Sequence, residues 1–168
     1  MRKEFDENVR KPAIKEDPNL EHLSIADFLD QAVDFKVAQD QEYLGYCIQE
    51  ALRLQTTAPV SVVYEATEDV TLGKYRFNKN DIFTVILQSL HTNPDEYQRP
   101  MEFIPERFDN SNDISLTPAG KKRNVSSWAP FFGGNRVCFG KSLAEGELKI
   151  ASTYMTQLFD LKFEDPKY

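Results

Sequence analysis

A single cysteine in a glycine-rich loop is the feature that most constrains this chain. Cys138 lies in the stretch FFGGNRVCFG, which runs directly into a pattern typical of an amphipathic helix. The first turn of a helix has unpaired backbone N–H groups and a positive dipole end, and both stabilise an ionised sulfur. Gly134 and Gly140 let the backbone pass close to a ligand where a Cβ would collide. The stretch therefore predicts a thiolate that is presented to a metal.

The same loop restricts the kind of metal site. Arg136, two residues before the cysteine, can bind a carboxylate on the ligand. A flat ligand that bears carboxylates and takes one axial thiolate is haem. The other cysteine, Cys47, lies on the apolar stripe of a predicted helix and is expected to pack in the core. The two cysteines form neither a CxxC pair nor a zinc set, and a disulfide is an alternative that no feature of the sequence requires.

These residues carry a resemblance to a known family. The loop resembles the haem-binding pattern FxxGxRxCxG of the cytochrome P450 family, which it matches at Phe131, Gly134, Arg136, Cys138 and Gly140. Five fixed positions coincide by chance in a chain of this length on the order of once in 10,000 sequences. The resemblance implies that haem is the cofactor and that Cys138 is its proximal iron ligand, whose thiolate favours O–O cleavage.

The resemblance also implies roles for the residues around the cysteine. Phe131 would pack beside the haem and the thiolate, and Arg136 would pair with a haem propionate. Gly134 and Gly140 belong to the cofactor-binding loop, which spans residues 131–140. Ala144 would lie where the following helix passes close to the macrocycle. These residues are expected to bind the cofactor, and no residue of the chain is expected to be catalytic.

Two shorter motifs precede the loop in the order found in that family. Glu50 and Arg53 form an ExxR motif on one face of a predicted helix, and Arg107 lies in the segment PERF. Taken alone, ExxR is better explained by an exposed ion pair, worth about 0.2 to 0.5 kcal/mol. In this order, the resemblance implies a network of one carboxylate and two guanidinium groups that supports the cysteine loop. Glu50, Arg53 and Arg107 are therefore expected to be structural residues.

The residue pattern predicts a mainly helical fold with small β-sheets, an α+β class. The predicted elements are an opening helix, a surface connection over 11–22, a helix capped by Ser24, a helix over 40–55, strands over 60–66 and 71–77, a strand leading to a short helix over 81–90, a stretch without long elements over 93–130, a helix from the cysteine loop to Phe159, and a strand over 161–163. The resemblance implies that residues 1–168 are a partial single domain, the C-terminal portion of the cytochrome P450 fold.

The length of the chain sets an expectation about completeness. Members of the family are far longer, and the resemblance covers only their C-terminal part. The family's distal helix with its acid-threonine pair has no counterpart, since no Asp-Thr or Glu-Thr dipeptide occurs in the sequence. The chain is therefore expected to be a fragment that is inactive when expressed alone.

For the parent protein, the resemblance implies a monooxygenase that inserts one oxygen atom from O2 into a lipophilic small molecule. Electrons would come from a flavin-containing NADPH reductase. Ala58, Val60 and Val62 would give the substrate pocket an apolar wall, with ordinary sheet core as the alternative. Two other functions stay open: a haem-thiolate isomerase or dehydratase that acts on hydroperoxides, and a truncated product without catalytic activity.

Charge bears on the partners of the chain. Residues 121–149 hold six basic and two acidic side chains, a local net charge of +4, whereas the whole chain carries -7. A basic patch beside the thiolate would attract an acidic electron-donor protein, and a solvated loop and helix face is the alternative. Nucleic-acid binding is not expected, because the chain is acidic overall and the basic run KKR is short.

Membrane attachment is expected only through an N-terminal part outside this sequence. The chain has no run of about 18 apolar residues and no secretory signal. If the parent carries an anchor, the resemblance implies a place at the cytoplasmic face of the endoplasmic reticulum.

Overall fold

The computed structural model describes residues 1–162 and 164, which fall into two compact units. The first unit is Met1–Gln49 with Val137–Tyr168, and the second is Glu50–Arg136. The described residues form mainly helices with small antiparallel sheets, which confirms the predicted α+β class. In this part of the chain, no helix has the length and apolar character needed to cross a membrane.

The α-helices, in chain order, are α1 (Arg2–Phe5), α2 (Lys11–Glu16), α3 (Ile25–Ala32), α4 (Phe35–Gln39), α5 (Glu42–Leu54), α6 (Leu87–His91) and α7 (Lys141–Leu158). The strands are β1 (Tyr64–Glu65), β2 (Val70–Leu72), β3 (Tyr75–Phe77) and β4 (Ile82–Phe83). A π-helical turn, Asp6–Arg10, joins α1 to α2. Short 3-10 turns are found at Pro18–His22, Pro105–Phe108, Asp113–Ser115, Val125–Ser127 and Gly134–Arg136.

The predicted surface connection over 11–22 is exposed for most of its length, but it contains regular elements, which the prediction missed. Helix α2 occupies its first half and the 3-10 turn Pro18–His22 its second half. The π-helical turn explains how the helix continues past Pro12, since the N–H of Lys11 bonds to the carbonyl of Asp6, five residues earlier. A wider turn of this kind adjusts the backbone hydrogen bonding next to a proline, which cannot donate one itself.

The core of the first unit brings the opening helix against α3. Phe5, Val9, Phe28 and Leu29 are buried together, and the rings of Phe5 and Phe28 pack edge to face with their centroids 6.2 Å apart. Ser24 caps α3 as predicted, because its hydroxyl accepts the N–H of Asp27 at 3.2 Å. The spacing of Phe5 and Val9 therefore marks a buried helix face.

Helix α7 packs closely within the first unit. Gly146 is buried, and a Cβ there would lie 2.1 Å from Cε2 of Phe35 on α4, which a real side chain could not do without a shift. Thr153 accepts a hydrogen bond from Nε2 of Gln41 at 2.8 Å. The helix predicted to run to Phe159 ends at Leu158. The predicted strand over 161–163 is absent at its first two residues, and Phe163 lies outside the described residues.

The second unit holds the strands. β1 pairs antiparallel with β4, and β2 pairs antiparallel with β3. Gly73 turns the β2–β3 hairpin with φ +59°, a value that favours glycine. Beyond α6, residues 93–130 contain 3-10 turns and no long element, as predicted. Besides α6 and the end of α5, the unit therefore contains small sheets and a stretch of irregular chain that other contacts must hold in place.

Candidate functional site

Cys138 lies immediately before α7 in the first unit, as predicted, and its side chain is exposed. The N–H of Lys141 donates to the carbonyl of Cys138 at 3.2 Å, and the N–H of Ala144 donates to that of Gly140 at 2.9 Å. A Cβ at Gly140 would lie 3.9 Å from Sγ of Cys138, an ordinary van der Waals distance. The thiol therefore stands on the turn that begins α7, where a ligand can reach it.

The remaining loop residues belong to the second unit. Gly134 has φ +62°, and no atom lies within 4 Å of the place where its Cβ would be. Phe132 adopts the same left-handed backbone region, with φ 62°. Phe131 is half-buried. Arg136 is exposed, and among the described residues its guanidinium has no hydrogen bond or ion pair.

The chemistry of these groups fits haem. In the first unit, the exposed thiol of Cys138 is flanked by exposed apolar side chains, Val137 and the fully exposed Phe139. In the second unit, the open backbone at Gly134 and the guanidinium of Arg136 suit a flat ligand with carboxylates. A thiolate for the iron, a cation for a carboxylate and apolar surface for the flat ring are the groups with which a protein binds haem.

Glu50, Arg53 and Arg107 meet in the second unit, and all three side chains are fully buried. Arg53 donates through Nε to Oε2 of Glu50 at 2.7 Å and through Nη2 to Oε1 at 2.8 Å. Arg107 donates through Nε to Oε1 at 3.0 Å, and the N–H of Ile104 donates to the same oxygen at 2.8 Å. The buried carboxylate is thus well compensated by cations and donors, which offsets the cost of removing it from water.

The other donors of the two guanidinium groups bind main-chain carbonyls in the irregular stretch and at the end of α6. The acceptors are the carbonyl oxygens of His91, Gln98, Arg99, Pro100 and Glu102. Burial lowers the pKa of Arg107, and its hydrogen bond to Glu50 opposes that shift. The network therefore fixes the path of the chain between the end of α6 and the PERF turn, where no regular element does so.

Two supporting residues that sequence reasoning missed extend this network. The ring of Tyr97 is contacted by two guanidinium groups, since Cζ of Arg53 and Cζ of Arg123 each lie 4.9 Å from its centroid. The hydroxyl of Tyr97 donates to the carbonyl of Ser127 at 3.0 Å, and burial raises the pKa of Tyr97. Arg123 also donates to the carbonyl of Arg107 at 2.5 Å. The sequence places Arg123 in a basic patch, but in the structure its guanidinium contacts Tyr97 and Arg107 inside the second unit.

His91 is a third residue that the motifs did not reveal. Its side chain is fully buried, and Nε2 accepts the N–H of Ala129 at 3.0 Å. Burial, together with the charge of Arg53, lowers the pKa of His91. The only sequence signal is that His91 follows Leu87 by one helical turn, at the spacing of a buried face.

The predicted apolar wall lies along the chain after α5. Val60 and Val62 are 49% and 67% exposed, whereas Ser61 between them is buried. The hydroxyl of Ser61 accepts the N–H of Val85 at 2.9 Å, which fixes the alternation of side chains. The two valines are therefore exposed apolar groups rather than sheet core of this unit, and Ala58 is half-buried.

Similarity to known proteins covers most of the chain. The family model for cytochrome P450 matches residues 21–167. The chain is 36% identical over 117 residues to the steroid 17-alpha-hydroxylase/17,20 lyase of Cavia porcellus, a match over 68% of this chain and 22% of that protein. It is 35% identical over 120 residues to the Homo sapiens protein of the same name, a match over 70% of this chain and 22% of that protein. The chain thus spans about a fifth of the length of these relatives.

Two solved structures share the fold. A cytochrome P450DA heme domain matches with a TM-score of 0.64 and 26% identity, over 76% of this chain and 27% of that chain. A cytochrome P450 (CYP102L1) matches with a TM-score of 0.61 and 34% identity, over 73% of this chain and 26% of that chain. The family match confirms haem as the cofactor predicted from the cysteine loop. The chain belongs to the cytochrome P450 family.

Proposed function

We propose that this chain is the C-terminal portion of the single catalytic domain of a haem-thiolate monooxygenase. The observation that carries the proposal is the exposed thiol of Cys138 at the start of α7, in a chain whose family binds haem. Bound haem would supply the iron at which O2 is activated. The residues of this chain would bind, orient and shield that group.

Each loop residue has a separate task in this proposal. Cys138 would coordinate the iron through its thiolate, and Arg136 would pair with a propionate. Phe131 would pack beside the macrocycle, while Gly134, Gly140 and Ala144 would leave room for it. Glu50, Arg53 and Arg107 would act on structure alone, because their hydrogen-bonding groups are directed to one another and to main-chain carbonyls.

The proposed substrate is a lipophilic small molecule. Support comes from the exposed valines Val60 and Val62 and from the two relatives that are named as steroid hydroxylases. O2 would be the second substrate. The proposed electron donor is a flavin-containing NADPH reductase, which the exposed lysines Lys121 and Lys122 would favour if its docking surface is acidic.

The remaining parts of the proposal concern the parent protein. We infer that the parent is attached to the cytoplasmic face of the endoplasmic reticulum by a segment outside this sequence. The 168-residue chain alone is proposed to be inactive, because the apolar side chains of Leu143, Met155 and Phe159 are left exposed in it.

The test uses the full-length protein, obtained by extending the coding sequence upstream. The purified protein is incubated with NADPH, a flavin-containing reductase, 18O2 and a panel of lipophilic compounds that includes steroids. We expect a product that contains one 18O atom and forms only when the reductase is present. Consumption of a fatty-acid hydroperoxide without NADPH, and without 18O incorporation, would instead establish isomerase or dehydratase chemistry. The 168-residue chain, assayed in parallel, should give no product.

A further inference from the structure

We propose that His91 is a positioning residue for the haem-binding loop, and that it acts through the main-chain N–H of Ala129. The inference rests on the proposed function, since it concerns the same loop. In the described structure, the hydrogen bonds of His91 to Arg53 and Ala129 are made outside the loop pattern. It holds the chain just before that pattern begins at Phe131.

The side chain of His91 is fully buried, and it makes a long-range hydrogen bond that is part-buried. Nε2 of His91 accepts the N–H of Ala129 at 3.0 Å, across 38 residues of sequence. A histidine that only filled space would not need to accept a main-chain N–H, whereas a buried N–H without a partner is costly. Ala129 therefore depends on the imidazole for its hydrogen bond.

The main chain of Ala129 also forms part of a turn. Its carbonyl accepts the N–H of Phe132 at 3.0 Å, which closes a turn around Pro130 and Phe131. Pro130 has no N–H and a fixed φ, so it cannot adjust the turn itself. The direction of the chain after the turn therefore depends on the position of Ala129. The position of Ala129 thus determines the position of Phe131, the first residue of the pattern.

The main chain of His91 is itself fixed by a hydrogen bond from the Glu50 network. Its carbonyl accepts a hydrogen bond from Nη1 of Arg53 at 2.9 Å, and Arg53 is bound to Glu50 through two donors. His91 therefore links the Glu50 network to the turn at Ala129. Through this link the buried ion network can position the turn that leads into the loop.

The bond to Ala129 requires the neutral imidazole, because a protonated ring has no acceptor. The charged group that faces His91 is Arg53 on α5, and its positive charge opposes protonation. Helix α6 also packs against the turn Val125–Ser127, which has no titratable side chain. At a pH low enough to protonate His91 despite its burial and the charge of Arg53, the N–H of Ala129 should therefore lose its hydrogen bond.

The test compares two amide variants of the full-length protein. In His91→Gln, the side-chain oxygen can reach the place of Nε2 and accept the N–H of Ala129. In His91→Asn, the shorter side chain mimics Nδ1 and cannot reach it. Amide hydrogen exchange at Ala129, followed by mass spectrometry of short peptides, is the primary measurement. The Soret spectrum of the ferrous carbon monoxide complex is the second.

We expect the Asn variant to exchange Ala129 about tenfold faster than wild type and to lose part of its thiolate Soret band. The Gln variant should resemble wild type in both measurements. Equal exchange at Ala129 in wild type and both variants would overturn the proposal. So would an equal loss of the thiolate Soret band in the Asn and Gln variants.

A pH titration keeps the proposal testable even if the Asn variant does not fold. As the pH falls below the ordinary histidine value of 6.5, the protection of the Ala129 N–H, corrected for the pH dependence of unprotected amides, should fall in wild type and persist in His91→Gln, which has no titrating ring. A parallel loss of protection in both proteins would contradict the proposal. These readouts report on Ala129 and not on turnover, so a failure of monooxygenase activity leaves them interpretable.

Discussion

Arg53 and Arg107 donate hydrogen bonds to the same buried oxygen, Oε1 of Glu50, at 2.8 and 3.0 Å. Each guanidinium also binds main-chain carbonyls of the irregular stretch just before the PERF turn. One carboxylate thus compensates two buried cations that together fix a segment without regular secondary structure. The importance of this arrangement can be measured by removing the carboxylate.

Replacing Glu50 with alanine should destabilise the full-length protein by about 3 to 5 kcal/mol, because Arg53 and Arg107 would stay buried as unpaired charges. Urea unfolding and haem content check this result. Glu102→Ala is the matched control, since the carboxylate of Glu102 pairs with Arg99 at the same spacing but both side chains are exposed. The control should cost no more than about 1 kcal/mol. Normal haem content and stability in Glu50→Ala, with reduced turnover, would argue for a catalytic role instead.

Backbone conformation at the loop gives a second prediction. Gly134→Ala should destabilise the protein by about 1 to 2 kcal/mol, because φ +62° is strained for any residue with a Cβ, although space for the Cβ is open. Gly133→Ala provides the comparison: its Cβ would also meet no atom within 4 Å, and its φ is not in the left-handed region. We expect the Gly133 variant to stay within about 0.5 kcal/mol of wild type in thermal melts. Equal effects of the two substitutions would mean that φ at Gly134 does not matter.

Stability should depend on pH through His91. Burial and Arg53 hold the pKa of His91 below its ordinary value of 6.5. Between that value and the lowered one, the unfolded chain binds a proton that the folded chain does not, so stability present above about pH 6.5 is lost as the pH falls. Urea unfolding of the full-length protein between about pH 7 and pH 5 should show a slope that exceeds that of His91→Gln by at most about 1.4 kcal/mol per pH unit. Identical slopes in the two proteins would rule out a contribution from His91.

Local signals in the sequence predicted much of the fold. Ser24 caps α3 because its hydroxyl accepts the otherwise unpaired N–H of Asp27, three residues later. This spacing can be read directly from the sequence. Gly73 turns the predicted hairpin, and Glu50 and Arg53 share a helix face by spacing alone. In each case the interacting groups are close in sequence, so their geometry follows from the element that contains them.

Contacts between distant segments were not predictable in the same way. The helix through Pro12 depends on a π-helical turn that no residue pattern announces. The bond from Ala129 to His91 and the position of Arg123 over Tyr97 are set by tertiary packing. The resemblance to a family placed Arg107 beside Glu50, but the residues that connect this network to the loop emerged only from the structure.

Cys138 is proposed to bind the haem iron through its thiolate. The most direct measurement is the ferrous carbon monoxide spectrum of the full-length protein and of its variants Cys138→Ser and Cys47→Ala. We predict that wild type and Cys47→Ala show the long-wavelength Soret band of thiolate ligation, because Cys47 lies within helix α5 and Cys138 is exposed at the start of α7. Cys138→Ser should lose that band. A Cys138→Ser protein that kept the thiolate band would contradict the assignment.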